Sequence, residues 1–342
     1  MVIERRARLT SLRPKILVTR RLPEPVEQRM ATLFDARFNP DDAPYSAVAL
    51  VAALRGCDVL VSSITDRIDA ELIGRLPSTV KLIAQFGNGF DNIDIEAAYA
   101  AGLTVTNTPS VLTEDTADMA MMLMLALPRR LIEGAELLPR EGTWSGWAPT
   151  WMLGRRLRGK ALGIVGMGRI GTAVAARART FGLNIHYFSR NRRPPALEDK
   201  LGAVFHPELD DMLGAIDILS LHTPLTRDTT HILGRERIGR LKPEAFVVNV
   251  SRPELIEEAA LVDAIATGRL SGAALDVFEY HGGISEKLLE LARHHKIVLT
   301  AHMASATLEA RLEMGDTVIV NIRAFVDGHQ PPHRVLPETR GR

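Results

Sequence analysis

Residues 161–171 read ALGIVGMGRIG. The buried-type run Ala161–Val165 enters Gly166-x-Gly168-x-x-Gly171, and a helical stretch rich in small residues follows. A strand that turns through three glycines at this spacing and leaves as a helix is what a dinucleotide pyrophosphate requires. Gly166 makes the tight turn, Gly168 keeps side chains away from the phosphates, and Gly171 lets the helix pack close to the sheet. The first helical amides, at Arg169, Ile170 and Gly171, then offer free N–H groups and the positive end of the helix dipole to the anion.

The sequence on both sides of that turn alternates strands and helices. Downstream, LNIHYFSR (183–190), AIDILSLHTP (215–224), AFVVNVS (245–251), LSGAALDVF (270–278) and HKIVLTAH (295–302) read as further strands. Upstream, KILVT (15–19), CDVLVSS (57–63), VKLIAQF (80–86) and LTVTNTP (103–109) form an earlier series, with helical stretches at 24–34 and 69–76. The repetition predicts an α/β protein with two parallel-sheet domains. One is a Rossmann-type, doubly wound cofactor domain over 108–305. The other is a smaller domain over 1–107 and 306–342, completed by a long helical return in LEARLEMGDTVIVNIRAFVDG (308–328). Between the series, TEDTADMAMMLMLALPRRL (113–131) predicts one long helix with Thr113 as its cap. Its methionines suit core or subunit packing. TWSGWAPTWMLG (143–154) reads as an ordered loop that anchors a domain or a neighbouring subunit, and 329–342 as an extended tail.

Composition excludes several classes. The chain has 342 residues, 46% hydrophobic and 24% charged, with a net charge of +1. That is the balance of a globular protein and offers no global field for nucleic acid or an anionic membrane. Its single cysteine, Cys57, cannot form a disulfide within the chain, which fits a reducing cytoplasm, and it reads as a buried filler. No apolar run reaches the roughly 18 residues of a membrane span. The Arg-rich start (1–14) reads as a frayed tail. No set of His, Cys and carboxylates has metal-ligand spacing, so no metal is expected. His294 and His295 fall at a helix end and His186 within a strand.

The end of the second cofactor-domain strand selects between nucleotides. An acidic residue there accepts the ribose hydroxyls of NAD. This chain has Ser189, followed by Arg190, Arg192 and Arg193. A hydroxyl and guanidiniums suit a 2′-phosphate, which a carboxylate would repel. NADP(H) is therefore the expected preference, with NAD(H) possible.

From about Lys15 to Val335 the chain resembles the D-2-hydroxyacid dehydrogenase family, within it the glyoxylate/hydroxypyruvate reductase-like branch. The matching segments are QFGNGFDNID (85–94), VTNTPSVLTEDTAD (105–118), GIVGMGRIG (163–171), LHTPLT (221–226), NVSRPELIEE (249–258), ALDVFE (274–279) and AHMASAT (301–307). The resemblance implies roles. The amides of Asn88 and Gly89 hold the substrate carboxylate. Arg252 clamps carboxylate and carbonyl oxygen, and His302 is the general acid/base. Thr116, His222, Thr223, Pro224, Val250 and Asp276 lie along the cofactor. It also implies that the smaller domain is a flavodoxin-like substrate domain. With it come a closing cleft as the active site, a small 2-oxoacid or 2-hydroxyacid as substrate, and a homodimer. A guanidinium stabilises the negative charge that grows on the carbonyl oxygen during hydride transfer, and an imidazole supplies a proton near neutral pH.

Four positions depart from the family pattern. The glutamate expected five residues after Asp276, the usual partner of the catalytic histidine, is His281. Glu279 is a doubtful substitute. Pro253 follows Arg252 where the family has glycine. Ala301 and Ala304 replace the proline before His302 and the glycine two residues after it. Two main readings follow: a reductase with an altered proton relay involving His281 and His302, or an NADP(H)-binding, catalytically weakened homologue that senses redox state or binds a partner. A formate dehydrogenase is a weaker third.

Overall fold

The computed structural model describes residues 13–280 and 282–337. The Arg-rich start up to residue 12, His281 and residues 338–342 lie outside the described residues. The chain divides into two compact units. The first holds the residues up to Leu112 and from Ala306 onward, and the second is Thr113–Ser305. The first break falls later than the 107/108 division drawn from the sequence. Thr108 donates its N–H to Gly87, and Val111 and Leu112 pack on the first unit's core, so this segment stays with that unit.

The first unit is a six-stranded sheet. Its strands are β1 (Lys15–Val18), β2 (Asp35–Arg37), β3 (Val59–Ser63), β4 (Leu82–Phe86) and β5 (Thr104–Thr106), with a last strand, Arg334–Val335, at one edge. The order is last-β5-β4-β3-β1-β2, parallel throughout except for that edge strand. The parallel part is the flavodoxin-like order 2-1-3-4-5. The expected extended tail is thus partly a strand, pairing Arg334 with Thr106 and Val335 with Val105.

Alternation along the strands feeds two cores. Ile16, Val59, Val61 and Leu82 face the helices Glu24–Leu33 and Leu308–Val326. Leu17, Leu60 and Ile83 face the opposite side, against Leu54, Leu72 and Ile73. Gly315 lets the two helices meet, since a Cβ there would lie 2.4 Å from a Val26 methyl carbon. Cys57 is fully buried in the second of these cores, and burial pushes its thiol pKa up.

The second unit continues with β6 (Ala161–Val165), β7 (Asn184–Phe188), β8 (Ala203–His206), β9 (Ile218–Leu221), β10 (Phe246–Asn249), β11 (Gly272–Leu275) and β12 (Ile297–Leu299); the edge strand of the first unit is then β13. The order β12-β11-β10-β9-β6-β7-β8 is wholly parallel. It reverses between β6 and β9, the doubly wound pattern with a switch point. Leu162 and Ile164 pack toward the helices Thr113–Ala126 and Arg169–Thr180, and Ala161 and Val165 toward Met212, Leu213 and Leu261.

The stretch 113–131 is not one helix. A first helix begins at Thr113 itself and ends at Ala126, and a second runs Leu131–Glu141. Pro128 and the left-handed Arg130 (φ 54°) break the chain between them. Met119, Met121 and Met124 are buried, while Met122 is 45% exposed. No described helix is long and apolar enough to cross a membrane.

Candidate active site

Apart from Thr116, in the helix Thr113–Ala126, the second unit's candidate residues share one edge of its parallel sheet. Gly166 follows β6, Ser189 follows β7, His222 follows β9, Val250 follows β10 and Asp276 follows β11; Thr300 and His302 come just after β12. In an open parallel sheet this carboxyl edge, near the switch point, is where ligands bind.

The glycine turn fits a dinucleotide. Gly166 has φ +96°, and a Cβ on it would lie 2.8 Å from the backbone of His222 and Thr223. A Cβ on Gly171 would lie 2.2 Å from the carbonyl oxygen of Gly166. At Gly168 a Cβ would enter open space with nothing within 4 Å, the room that phosphates need. Gly168 is the cap of the helix Arg169–Thr180 and brings no side chain to its first amides. The Gly166 amide donates to Phe188 O at 2.9 Å, tying the turn to the end of β7.

Beyond β7 the basic loop is internally ordered. Arg192 donates from Nε and Nη2 to the Glu198 carboxylate at 3.0 and 2.8 Å, and its guanidinium carbon lies 5.5 Å from the centre of the Phe205 ring. The buried Tyr187 hydroxyl donates to Glu198 Oε1 at 2.5 Å and accepts the Arg193 N–H at 2.8 Å. Arg192 first, then Tyr187, hold the Glu198 carboxyl below the usual range, and burial first, then Glu198, pushes the Tyr187 phenol up. Ser189 and Arg193 are half-buried and Arg190 is exposed.

His222 is half-buried, and its Nδ1, out of reach of solvent, has no hydrogen-bond partner among the described residues. Its Nε2 lies 2.7 Å from Ser220 Oγ. Burial pushes its pKa down to about 4, so the ring is neutral at physiological pH. Ser251 Oγ donates to Thr223 O at 2.6 Å, joining the turns after β9 and β10. Pro224 is exposed, while Thr116 and Val250 are buried.

The turn carrying Arg252 hangs from the fully buried Asn249. Its Nδ2 donates to Arg252 O at 2.8 Å, and its Oδ1 accepts the Ser251 N–H at 3.0 Å. Pro253 is absorbed without distortion. It opens a short 3₁₀ turn, Pro253–Leu255, where its missing N–H costs nothing. Arg252 is extended (φ −139°, ψ 141°), as a residue before proline prefers.

Asp276 is fully buried, and its carboxylate shapes the turn that carries His302. Oδ1 accepts the Thr300 hydroxyl at 2.7 Å and the Met303 N–H at 2.9 Å, and Oδ2 accepts the Ala304 N–H at 2.9 Å. The His302 amide donates to Asp276 O at 2.9 Å. His302 is exposed at the tip in a left-handed conformation (φ 51°). Histidine tolerates that region better than most residues, and functional turns often carry such strain. Ala304 fits because its methyl group is buried in the core.

In the first unit, Asn88 and Gly89 lie in the turn after β4. Asn107 Nδ2 donates to Asn88 O at 2.7 Å, and Gln85 Nε2 donates to Gly89 O at 3.2 Å. Asn321 in turn donates to Asn107 O at 3.2 Å. Glu198, Tyr187, Asn107 and Thr300 were not singled out from the sequence, because their partners are set by folding rather than by spacing. Among the described residues no group of three or more His, Cys, Asp or Glu side chains is placed to hold a metal ion.

The sequence profile of the D-isomer specific 2-hydroxyacid dehydrogenase NAD-binding domain matches residues 121–304. The chain belongs to that family. This dehydrogenase is 41% identical over 328 residues to a glyoxylate reductase of Thermococcus litoralis, covering 95% of this chain and 97% of that one. It is 42% identical over 329 residues to a glyoxylate reductase of Korarchaeum cryptofilum, covering 96% and 97%. Among solved structures it is similar to a D-isomer specific 2-hydroxyacid dehydrogenase of Polaromonas sp. JS6 66, with TM-score 0.87 and 38% identity over 94% of this chain and 99% of the other. It is also similar to an NADPH-dependent glyoxylate/hydroxypyruvate reductase of Sinorhizobium meliloti in complex with NADP and malonate, with TM-score 0.83 and 34% identity over 94% and 97%. The dehydrogenase is thus an oxidoreductase that binds a nicotinamide dinucleotide and acts on small 2-oxoacids.

Proposed function

We propose that this dehydrogenase reduces glyoxylate or hydroxypyruvate to the corresponding D-2-hydroxyacid with NADPH, in the cytoplasm and as a homodimer. The observation that carries the reading is the pair of pinned turns at one edge of the sheet, Arg252 after β10 and His302 after β12, the second held by Asp276 at the end of the intervening β11. The nicotinamide, when bound, supplies the hydride. Arg252 stabilises the charge that develops on the carbonyl oxygen, and His302 delivers the proton to that oxygen. The amides of Asn88 and Gly89, in the first, substrate-binding unit, hold the carboxylate. Gly166, Gly168 and Gly171, with the amides of Arg169 and Ile170, seat the pyrophosphate. Ser189 and the arginines after it read the ribose, while Thr116, His222, Thr223, Pro224, Val250 and Asp276 line or support the rest of the cofactor. With His281 in the sequence where the family has glutamate, this reading gives His302 an altered proton relay.

Turnover of NADPH with glyoxylate, hydroxypyruvate and pyruvate tests this. Tight NADPH binding with no turnover of any of them, and activity created by His281→Glu, would favour the second reading: a weakened, NADP(H)-binding homologue. His281 is what recommends that reading.

The dimer is supported by the helix Leu131–Glu141, which buries none of its residues within the chain. Leu131 and Leu138 are each 54% exposed, and Trp144, Trp147, Trp151 and Leu153 follow, all exposed. An apolar surface of this kind marks an interface. Leu138→Glu should yield a monomer in analytical ultracentrifugation.

A further inference from the structure

We propose that Glu198 is the positioning residue that sets nucleotide selectivity, holding the 189–193 loop so that Arg190, not Arg192, meets the ribose 2′-phosphate. This rests on the NADPH reading above and assigns its parts.

The loop is fastened at both ends. At its start, Phe188 O is held by the Gly166 amide of the phosphate turn. At its end, Glu198 takes both the Nε and Nη2 edges of Arg192, and Tyr187 takes the Arg193 N–H. One carboxylate, with only 9% of its side chain exposed, therefore gathers the tyrosine from β7, the arginine from the loop and its own helix, Pro195–Leu201. Arg192 has its fork closed on a carboxylate and its face against Phe205, so its charge is already matched. Arg190 differs: among the described residues no hydrogen bond or ion pair of its side chain occurs. It sits three residues or fewer from both fastenings, beside Ser189. A guanidinium and a hydroxyl on a short, tethered span suit a phosphate monoester dianion.

Charge and position predict opposite outcomes when Glu198 is neutralised. By charge alone, removing a carboxylate and releasing Arg192 tightens binding of a nearby dianion. If Glu198 acts by position, the loop loosens and the dianion binds more weakly. Calorimetry on the full chain with 2′,5′-ADP and with 5′-ADP separates the two. The wild type should prefer 2′,5′-ADP. Glu198→Gln should weaken 2′,5′-ADP by about tenfold, the scale of one or two lost charge-assisted hydrogen bonds, and leave 5′-ADP within about twofold. Tyr187→Phe, which keeps the packing, should give a smaller loss of the same sign, and it carries the test if the Gln variant does not fold. Arg190→Met should erase the preference, and Arg192→Met should behave like Glu198→Gln. Tighter or unchanged 2′,5′-ADP binding in Glu198→Gln and Tyr187→Phe overturns the inference alone. A wild type without preference for 2′,5′-ADP overturns the NADPH reading and the inference with it.

Discussion

The turn that follows β4 in the first unit and the turns at the carboxyl edge of the second are held by different chemistry. Neutral amides do the work in the first: Gln85 and Asn107 grip the carbonyls of Gly89 and Asn88. In the second, carboxyl groups hold the turns of His302 and of the basic loop, Asp276 for one and Glu198 for the other. The amide clamps carry no charge and do not titrate. Carboxyl acceptors make stronger hydrogen bonds than amides, and at Glu198 the turn geometry is coupled to protonation. The amide-held turn carries Asn88 and Gly89, and the carboxyl-held turns carry an imidazole and guanidiniums.

Asp276→Ala should have the largest effect on this contrast. It strands the Thr300 hydroxyl and two amides, so unfolding free energy should drop by about 3 to 5 kcal/mol in urea titration, and kcat should fall by at least about tenfold. A variant with native stability and turnover would show that the carboxylate does not hold the His302 turn.

Acid should distinguish the two regions next. The His222 ring, pushed to about 4 by burial, refuses a proton that the unfolded chain accepts near pH 6.5. Stability therefore falls as pH drops between those values, by roughly 3 kcal/mol in all. In His222→Asn the denaturation midpoint should lose less over that range, and an unchanged slope would remove His222 from the account. The depressed Glu198 carboxyl acts with the same sign: its contribution is full above the ordinary carboxylate range and is lost as pH falls from that range down through its own lowered pKa.

Asn107→Ala should have the smallest effect. One amide hydrogen bond is worth about 1 kcal/mol. The KM for the 2-oxoacid should rise a few-fold while the KM for NADPH stays unchanged. An equal rise in both would mean that Asn107 supports the fold at large rather than the Asn88 turn.

Local pattern carried much of this architecture. The glycine turn, most of the strands and the chain neighbours of Arg252 and His302 are legible because each depends on residues adjacent in sequence. The break at Pro128–Arg130 is not legible as a break, since apolar spacing persists across it. β8 and the edge strand β13 are short and only partly apolar, so their pairing comes from the sheet they join. The basic run after β7 was legible as a set of charges, but not its division of labour. That division depends on Glu198 and Phe205, which tertiary packing brings to Arg192.

The left-handed backbone at His302 narrows what can replace it. Glycine, asparagine and aspartate occupy such φ values at little cost, whereas a β-branched side chain does not. A single exchange of His302 for asparagine should therefore remove the imidazole, the proton donor of the proposed reaction, while leaving the Asp276-held turn intact. On the proposed role of His302, one substitution separates a reductase from a silent nucleotide-binding protein.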